Sequence, residues 1–255
     1  MVTSAGPGGS ARTAVVWEVL SAVLAEAQAT GAGAGPHPGL DVLDAGGGTG
    51  GFAVPLAVAG HRVTVVDPSP DSLAALQRRA AERGVADRVV ALQGDLSDLP
   101  AVAADGSADV VLCHSVLEVV DDPAAALAAV AAVLRPGGRL SLLVANRDAA
   151  VLARALAGRP DEAAHVLTDP AGRWGAADAA ARRWTPDALS ALVREAGLVV
   201  EQLHGVRVVA DLVPSAVLDA EPGAAAALLA LERALSDREP FRGLATQLHV
   251  LARLP

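Results

Sequence analysis

Eight residues constrain this chain most: Leu43-Asp44-Ala45-Gly46-Gly47-Gly48-Thr49-Gly50, placed directly after a short apolar run and before a helical stretch. Glycines at such a junction let the backbone turn tightly and approach a ligand where a Cβ would clash. A helix beginning just beyond presents amides that have no partner within the helix. A glycine run alone is weak, because glycine also simply breaks strands. Asp67 adds weight: it ends the next apolar run, 21 residues after Gly46, where a carboxylate can accept two ribose hydroxyls. A nucleotide or nucleoside cofactor is the expectation.

The flanking pattern supports an α/β reading. Short apolar runs at Val42–Ala45, Arg62–Val66, Arg88–Leu92, Asp109–Cys113 and Arg139–Ala145 alternate with helical stretches. The helices fit Asp71–Arg83, Pro123–Leu134, Ala149–Leu156 and Pro186–Ala196, with an earlier one over Arg12–Gln28. Such alternation means parallel strands with helices on both faces. Val199–Val209 and Ala245–Arg253 are further strand candidates, with a helix over Gly223–Leu235 between them. Residues 1–10 read as a disordered leader and 11–255 as one domain. The stretch 159–184 shows little periodicity and reads as a lid or loop.

Composition narrows the function. The chain has 255 residues and a net charge of −9, and every basic residue is arginine. That balance argues against extended duplex DNA binding, which basic surface drives. A lone cysteine, Cys113, excludes a thiolate zinc cage, and the six histidines lie far apart, so no metal is expected. The longest apolar run, Ala124–Leu134, is too short for a bilayer, and a cytoplasmic protein is the default expectation.

Asp44 decides the kind of cofactor. A carboxylate just ahead of the first glycine would repel a pyrophosphate but suits a cation. S-adenosylmethionine carries a sulfonium and an ammonium and no phosphate. Asp44-x-Gly46-x-Gly48-x-Gly50 closely resembles the motif of class I methyltransferases. Gly94-Asp95-Leu96, Cys113-His114-Ser115-Val116-Leu117-Glu118 and Leu134-Arg135-Pro136-Gly137-Gly138 follow in the order of that family. Each has a plainer reading: Asp95 as a helix cap, His114 as a packed strand end, Pro136-Gly137-Gly138 as a turn.

A narrower resemblance rests on Arg12 with Trp17, Ala45–Gly48, His114–Glu118, Gly205-Val206-Arg207-Val208, Leu228-x-x-Leu231-Glu232, Arg238-Glu239-Pro240-Phe241 and Leu248–Arg253. These are similar to segments of the bacterial tRNA 5-carboxymethoxyuridine methyltransferase group. The resemblance implies the doubly wound, Rossmann-like class I fold, a seven-stranded, mostly parallel sheet with helices on both faces. It implies S-adenosylmethionine as cofactor, contacted by Arg12, Asp44, Gly46, Gly47, Gly48, Asp67, Asp95, Leu96 and His114, with Arg12 on its carboxylate. The acceptor is then a carboxylate on a modified wobble uridine of tRNA, and the alternative is a small-molecule O- or C-methyltransferase.

A carboxylate acceptor is already ionised and needs a cation, for which Arg207 or Arg154 serves. A hydroxyl or ring carbon needs a base, for which His114 is best placed. The group's lysine-rich segment is replaced here by Arg173-Trp174-Gly175 and Arg182-Arg183-Trp184. These arginines and tryptophans are either RNA contacts through phosphate and base stacking, or a solvated loop whose tryptophans cover a helix seam.

Overall fold

The computed structural model describes residues 12–29 and 39–255. The leader over 1–10 and most of the loop expected over Gly31–Gly39 lie outside them. Seven strands form one sheet: β1 (Asp41–Ala45), β2 (Arg62–Asp67), β3 (Val89–Gln93), β4 (Ala108–His114), β5 (Leu134–Ala145), β6 (Val199–Val206) and β7 (Gln247–Arg253). Their order is β3-β2-β1-β4-β5-β7-β6. The pairs β1/β2, β1/β4 and β2/β3 are all parallel. Helices α1 (Ala14–Ala29), α2 (Ala53–Val58), α3 (Pro70–Glu82), α4 (Leu99–Val102), α5 (Pro123–Val133), α6 (Arg147–Leu156), α7 (Pro160–Thr168), α8 (Pro186–Glu195), α9 (Ser215–Ala220), α10 (Ala224–Leu235) and α11 (Phe241–Leu244) connect them. The doubly wound, mostly parallel sheet is the expected one.

Local chemistry explains why these elements form. Strand β4 is buried from Ala108 to Cys113, as befits a parallel strand covered on both faces. Helix α3 starts with Ser69 accepting the Ser72 amide, Pro70 in the first turn and Asp71 beside it, and it buries Leu73, Leu76 and Ala80. Helix α5 starts with Asp122 accepting the amides of Ala124 and Ala125 at 3.0 Å each, and buries Leu127, Val130 and Val133.

The chain divides into two compact units. One holds Ser21–Leu142, Ser190–Glu201 and Val250–Pro255; the other holds Leu143–Leu189, Gln202–His249 and the residues up to Leu20.

Three sequence expectations need correction. Strand β5 begins at Leu134 rather than Arg139, because the Gly137 amide donates to the Leu254 carbonyl and the Leu254 amide to that of Gly138, both at 2.9 Å. Pairing with a distant segment makes strand of what reads locally as a turn. Strand β6 stops at Val206 rather than Val209, because Arg207 adopts a left-handed φ of 61°. The 159–184 stretch is not all loop: α7 fills its start, with Pro160 and two acids in the first turn, and buries Ala163 and Val166. Two inward residues three positions apart are too few to show as periodicity.

Candidate active site

The glycine turn sits at the carboxyl end of β1, between β2 on one side and β4 on the other. Register places Asp44 beside Val65 and Leu112, and Ala45 beside Val66 and Cys113. Strand order reverses here, and the crevice at such a switch point is where open α/β sheets bind ligands. Gly46 has φ 76°, and a Cβ there would lie 2.3 Å from Val116 Cγ2. A Cβ on Gly47 would lie 2.5 Å from the Asp44 carboxyl carbon. Neither position accepts a side chain without displacing its neighbour.

Asp67 braces this turn. Its Oδ2 accepts the Gly48 amide and its Oδ1 the Ser69 amide, each at 2.9 Å. Asp44 is 3% exposed, and its Oδ2 has no hydrogen-bond partner within the described residues. Burial first, and repulsion from Asp67 second, push its carboxyl up to about 7. An orphaned buried carboxyl oxygen is costly, and a cationic donor relieves that cost. The ammonium of S-adenosylmethionine has that chemistry, so the residues present fit the expected cofactor.

After β3, Asp95 caps a short 3-10 turn over Leu96–Asp98. Its Oδ1 accepts the Ser97 amide at 2.7 Å and the Ser97 hydroxyl at 2.5 Å, which holds its carboxyl below the usual range. Leu96 is buried beside it. Asp95 is thus a cap, as its plain reading has it, and an exposed carboxylate as well. After β4, His114 Nε2 lies 2.9 Å from Ser141 Oγ, and its ring meets Phe52 edge-on at 4.7 Å. Burial lowers its pKa to about 4, so the imidazole is neutral at physiological pH. Ser115, which follows it, has φ 57°; it and Arg207 are the non-glycine residues with positive φ among those described. Such outliers concentrate at functional sites.

The remaining candidates lie in the other unit. Arg12 and Arg207 share one carboxylate: Asp211 Oδ1 is 3.4 Å from Arg12 Nε, and Oδ2 is 2.6 Å from Arg207 Nη2. Sequence reasoning passed over Asp211, whose spacing to Arg207 signals nothing outside a helix. Arg154 pairs with Glu162 at 3.2 Å and lays its guanidinium 4.7 Å over the Trp174 ring. Two of the expected RNA contacts are structural. Trp184 is 6% exposed, its amide bonded to the Ala145 carbonyl and its carbonyl to the Arg147 amide. Arg183 forks onto Asp178, at 2.5 and 3.0 Å, and also donates to the Gly172 carbonyl. A tryptophan buried to this extent does not offer its ring to an RNA base. Among the described residues no cluster of His, Cys, Asp or Glu is arranged to hold a metal, and no helix is long and apolar enough to cross a membrane.

Comparison with known proteins bears on this geometry. Residues 43–142 match the methyltransferase domain family, a span that starts at β1 and includes the glycine turn, Asp67, Asp95 and His114. The chain is 32% identical over 247 residues to the tRNA 5-carboxymethoxyuridine methyltransferase of Escherichia coli K12, covering 97% of this chain and 89% of that protein. It is 36% identical over 168 residues to the ubiquinone biosynthesis O-methyltransferase of Xanthomonas axonopodis pv. citri, covering 66% of each. In fold it is similar to geranyl diphosphate C-methyltransferase from Streptomyces coelicolor, solved with Mg2+, geranyl diphosphate and S-adenosyl-L-homocysteine. That likeness has a TM-score of 0.57 and 16% identity, and covers 94% of this chain and 79% of the other.

Proposed function

The chain belongs to the class I S-adenosylmethionine-dependent methyltransferases, and from that premise we propose that it methylates a carboxylate on a modified wobble uridine of tRNA in the cytoplasm. One observation carries the acceptor: the likeness to the tRNA enzyme runs through 97% of the chain, while the likeness to the ubiquinone enzyme covers 66%.

Bound S-adenosylmethionine supplies a methyl group on a sulfonium, open to in-line displacement. The protein's part is to bind and align. We assign Asp44 to the cofactor's ammonium, Asp67 to its ribose hydroxyls, and Asp95 with Leu96 to its adenine. Gly46, Gly47 and Gly48 give it close backbone approach. By resemblance to that family we assign Arg12 to its carboxylate and His114 to the reacting end. The acceptor carboxylate arrives ionised, so no base is required. A neutral His114 with a pKa near 4 is a poor base at pH 7, which suits such an acceptor. Arg207 is the cation we assign to it, because its left-handed backbone marks it out among the candidate arginines.

A small-molecule O-methyltransferase is the second reading, favoured by the ubiquinone relatives and the net charge of −9. Nucleoside analysis of tRNA from a deletion strain separates the two. Loss of the uridine methyl ester with accumulation of the free acid supports the tRNA reading. An unchanged nucleoside profile hands the function to the small-molecule reading.

A further inference from the structure

Helix α10 buries two residues, Leu228 and Glu232, one turn apart on the same face. Glu232 is 0% exposed. A leucine would be the ordinary occupant of such a position, and a buried carboxylate needs a compensating reason. Its partners supply one. Oε2 accepts the Val208 amide at 3.0 Å, and Oε1 accepts those of Val209 and Ala210 at 2.7 and 2.6 Å. Three consecutive backbone donors, 22–24 residues distant in sequence, close on one side chain directly after Arg207.

The other bonds around Arg207 complete the clamp. The Gly205 amide donates to the Ser236 carbonyl at 2.6 Å, one helical turn beyond Glu232. The Arg207 carbonyl accepts the Thr246 amide at 3.2 Å and the Thr246 hydroxyl at 3.1 Å. That hydroxyl also reaches Asp211 Oδ2 at 3.2 Å, the atom that holds the Arg207 guanidinium. An arginine at φ 61° persists only when its surroundings over-determine it, and here they do.

We infer that Glu232 is a positioning residue for Arg207: by binding the amides of residues 208–210 it holds Arg207 in the left-handed conformation in which Asp211 pairs with its guanidinium, and from which that guanidinium meets the acceptor carboxylate. The inference rests on the assignment of Arg207 to the acceptor. A merely structural Glu232 would stabilise the loop whatever stood at 207. A positioning Glu232 matters to the acceptor only while an arginine is there.

The experiment is a double-mutant cycle on the full chain, with tRNA carrying the unmethylated acid as substrate. Glu232→Gln puts an amide where one set of backbone donors needs an oxygen. Arg207→Gly removes the guanidinium while keeping the left-handed backbone accessible. Glu232→Gln is expected to raise the tRNA KM by up to about ten- to hundredfold, the range for losing the charged hydrogen bond between Arg207 and the acceptor. The cofactor Kd should stay within about twofold, and the same change in the Arg207→Gly background should add less than about twofold. Additive losses, or an unchanged KM in Glu232→Gln, overturn the inference.

Hydrogen exchange on the wild-type protein reads the clamp without any variant. The amides of Val208, Val209 and Ala210 should be as protected as those of β7, and exchange at the rate of an open turn overturns the inference. Arg207→Gly with a wild-type KM removes the acceptor assignment, and this inference with it. A loss in Arg207→Gly with none in Glu232→Gln overturns the inference alone.

Discussion

The Gly48 amide donates to Asp67 Oδ2 at 2.9 Å, so the carboxylate that ends β2 also closes the glycine turn that follows β1. The two parts of the cofactor motif, 19 residues apart, form one hydrogen-bonded unit. The shape of the turn therefore depends on the side chain we assign to the cofactor's ribose.

Replacing Asp67 with alanine should consequently do two things. Loss of hydrogen bonds to a charged group, worth about 1.5–3 kcal/mol, should weaken S-adenosylmethionine binding roughly ten- to hundredfold. The Gly48 and Ser69 amides also lose their acceptor, so the thermal midpoint of the apoprotein should fall. Calorimetric titration checks the first and a melting curve the second; an unchanged dissociation constant takes Asp67 out of the site.

Asp44 links pH to both stability and binding, in opposite directions. Its carboxyl is raised from 3.8 to about 7 in the folded protein, first by burial and then by Asp67. Because the folded state holds the proton more tightly than the unfolded chain, stability from this group is full below about pH 4 and is lost as pH rises to about 7. A cationic ligand favours the ionised form, so cofactor affinity should instead rise over pH 6–8. Asp44→Asn should flatten both curves and weaken binding throughout. Kd values that do not vary with pH in the wild type would contradict the ammonium assignment.

His114 should contribute no acid limb to the reaction near its ordinary pKa. Burial has moved its titration down to about 4, so at saturating cofactor the rate should be flat from about pH 6 upward. A rate profile with an ionisation near 6.5 that His114→Asn abolishes would make His114 a general base, and would point to a hydroxyl or carbon acceptor.

The arginines of the 159–184 stretch should separate by role. Arg183→Ala leaves Asp178, 1% exposed at its side chain, with only the amides of Trp174 and Ala180, and should destabilise the protein by about 1.5–3 kcal/mol. If Arg182 meets a phosphate, Arg182→Ala should reduce the salt dependence of tRNA binding by about one counterion. Filter binding at several salt concentrations measures this, and a slope identical to wild type removes Arg182 from the RNA interface.

The strand ends to which the cofactor is assigned were legible in the sequence, because each is marked by its own apolar run. Asp44, the glycines, Asp67, Asp95 and His114 each follow an apolar run, and a parallel sheet brings successive carboxyl ends to one edge whatever the helices contain. Cap residues such as Ser69 and Asp122 likewise mark helix starts within three residues of the bonds they make. Pairing between distant segments leaves no such mark. With 20 basic and 29 acidic residues, nothing in the order of the chain shows that Asp211 takes both Arg12 and Arg207, or that Asp178 takes Arg183. The burial of Trp184, the extension of β5 by Leu254 and the turning of Glu232 inward onto three amides were decided by tertiary structure alone. Each depends on which backbone donors and acceptors remain unmet once the sheet has formed, and a buried polar group must then meet its partner wherever in the chain that partner lies.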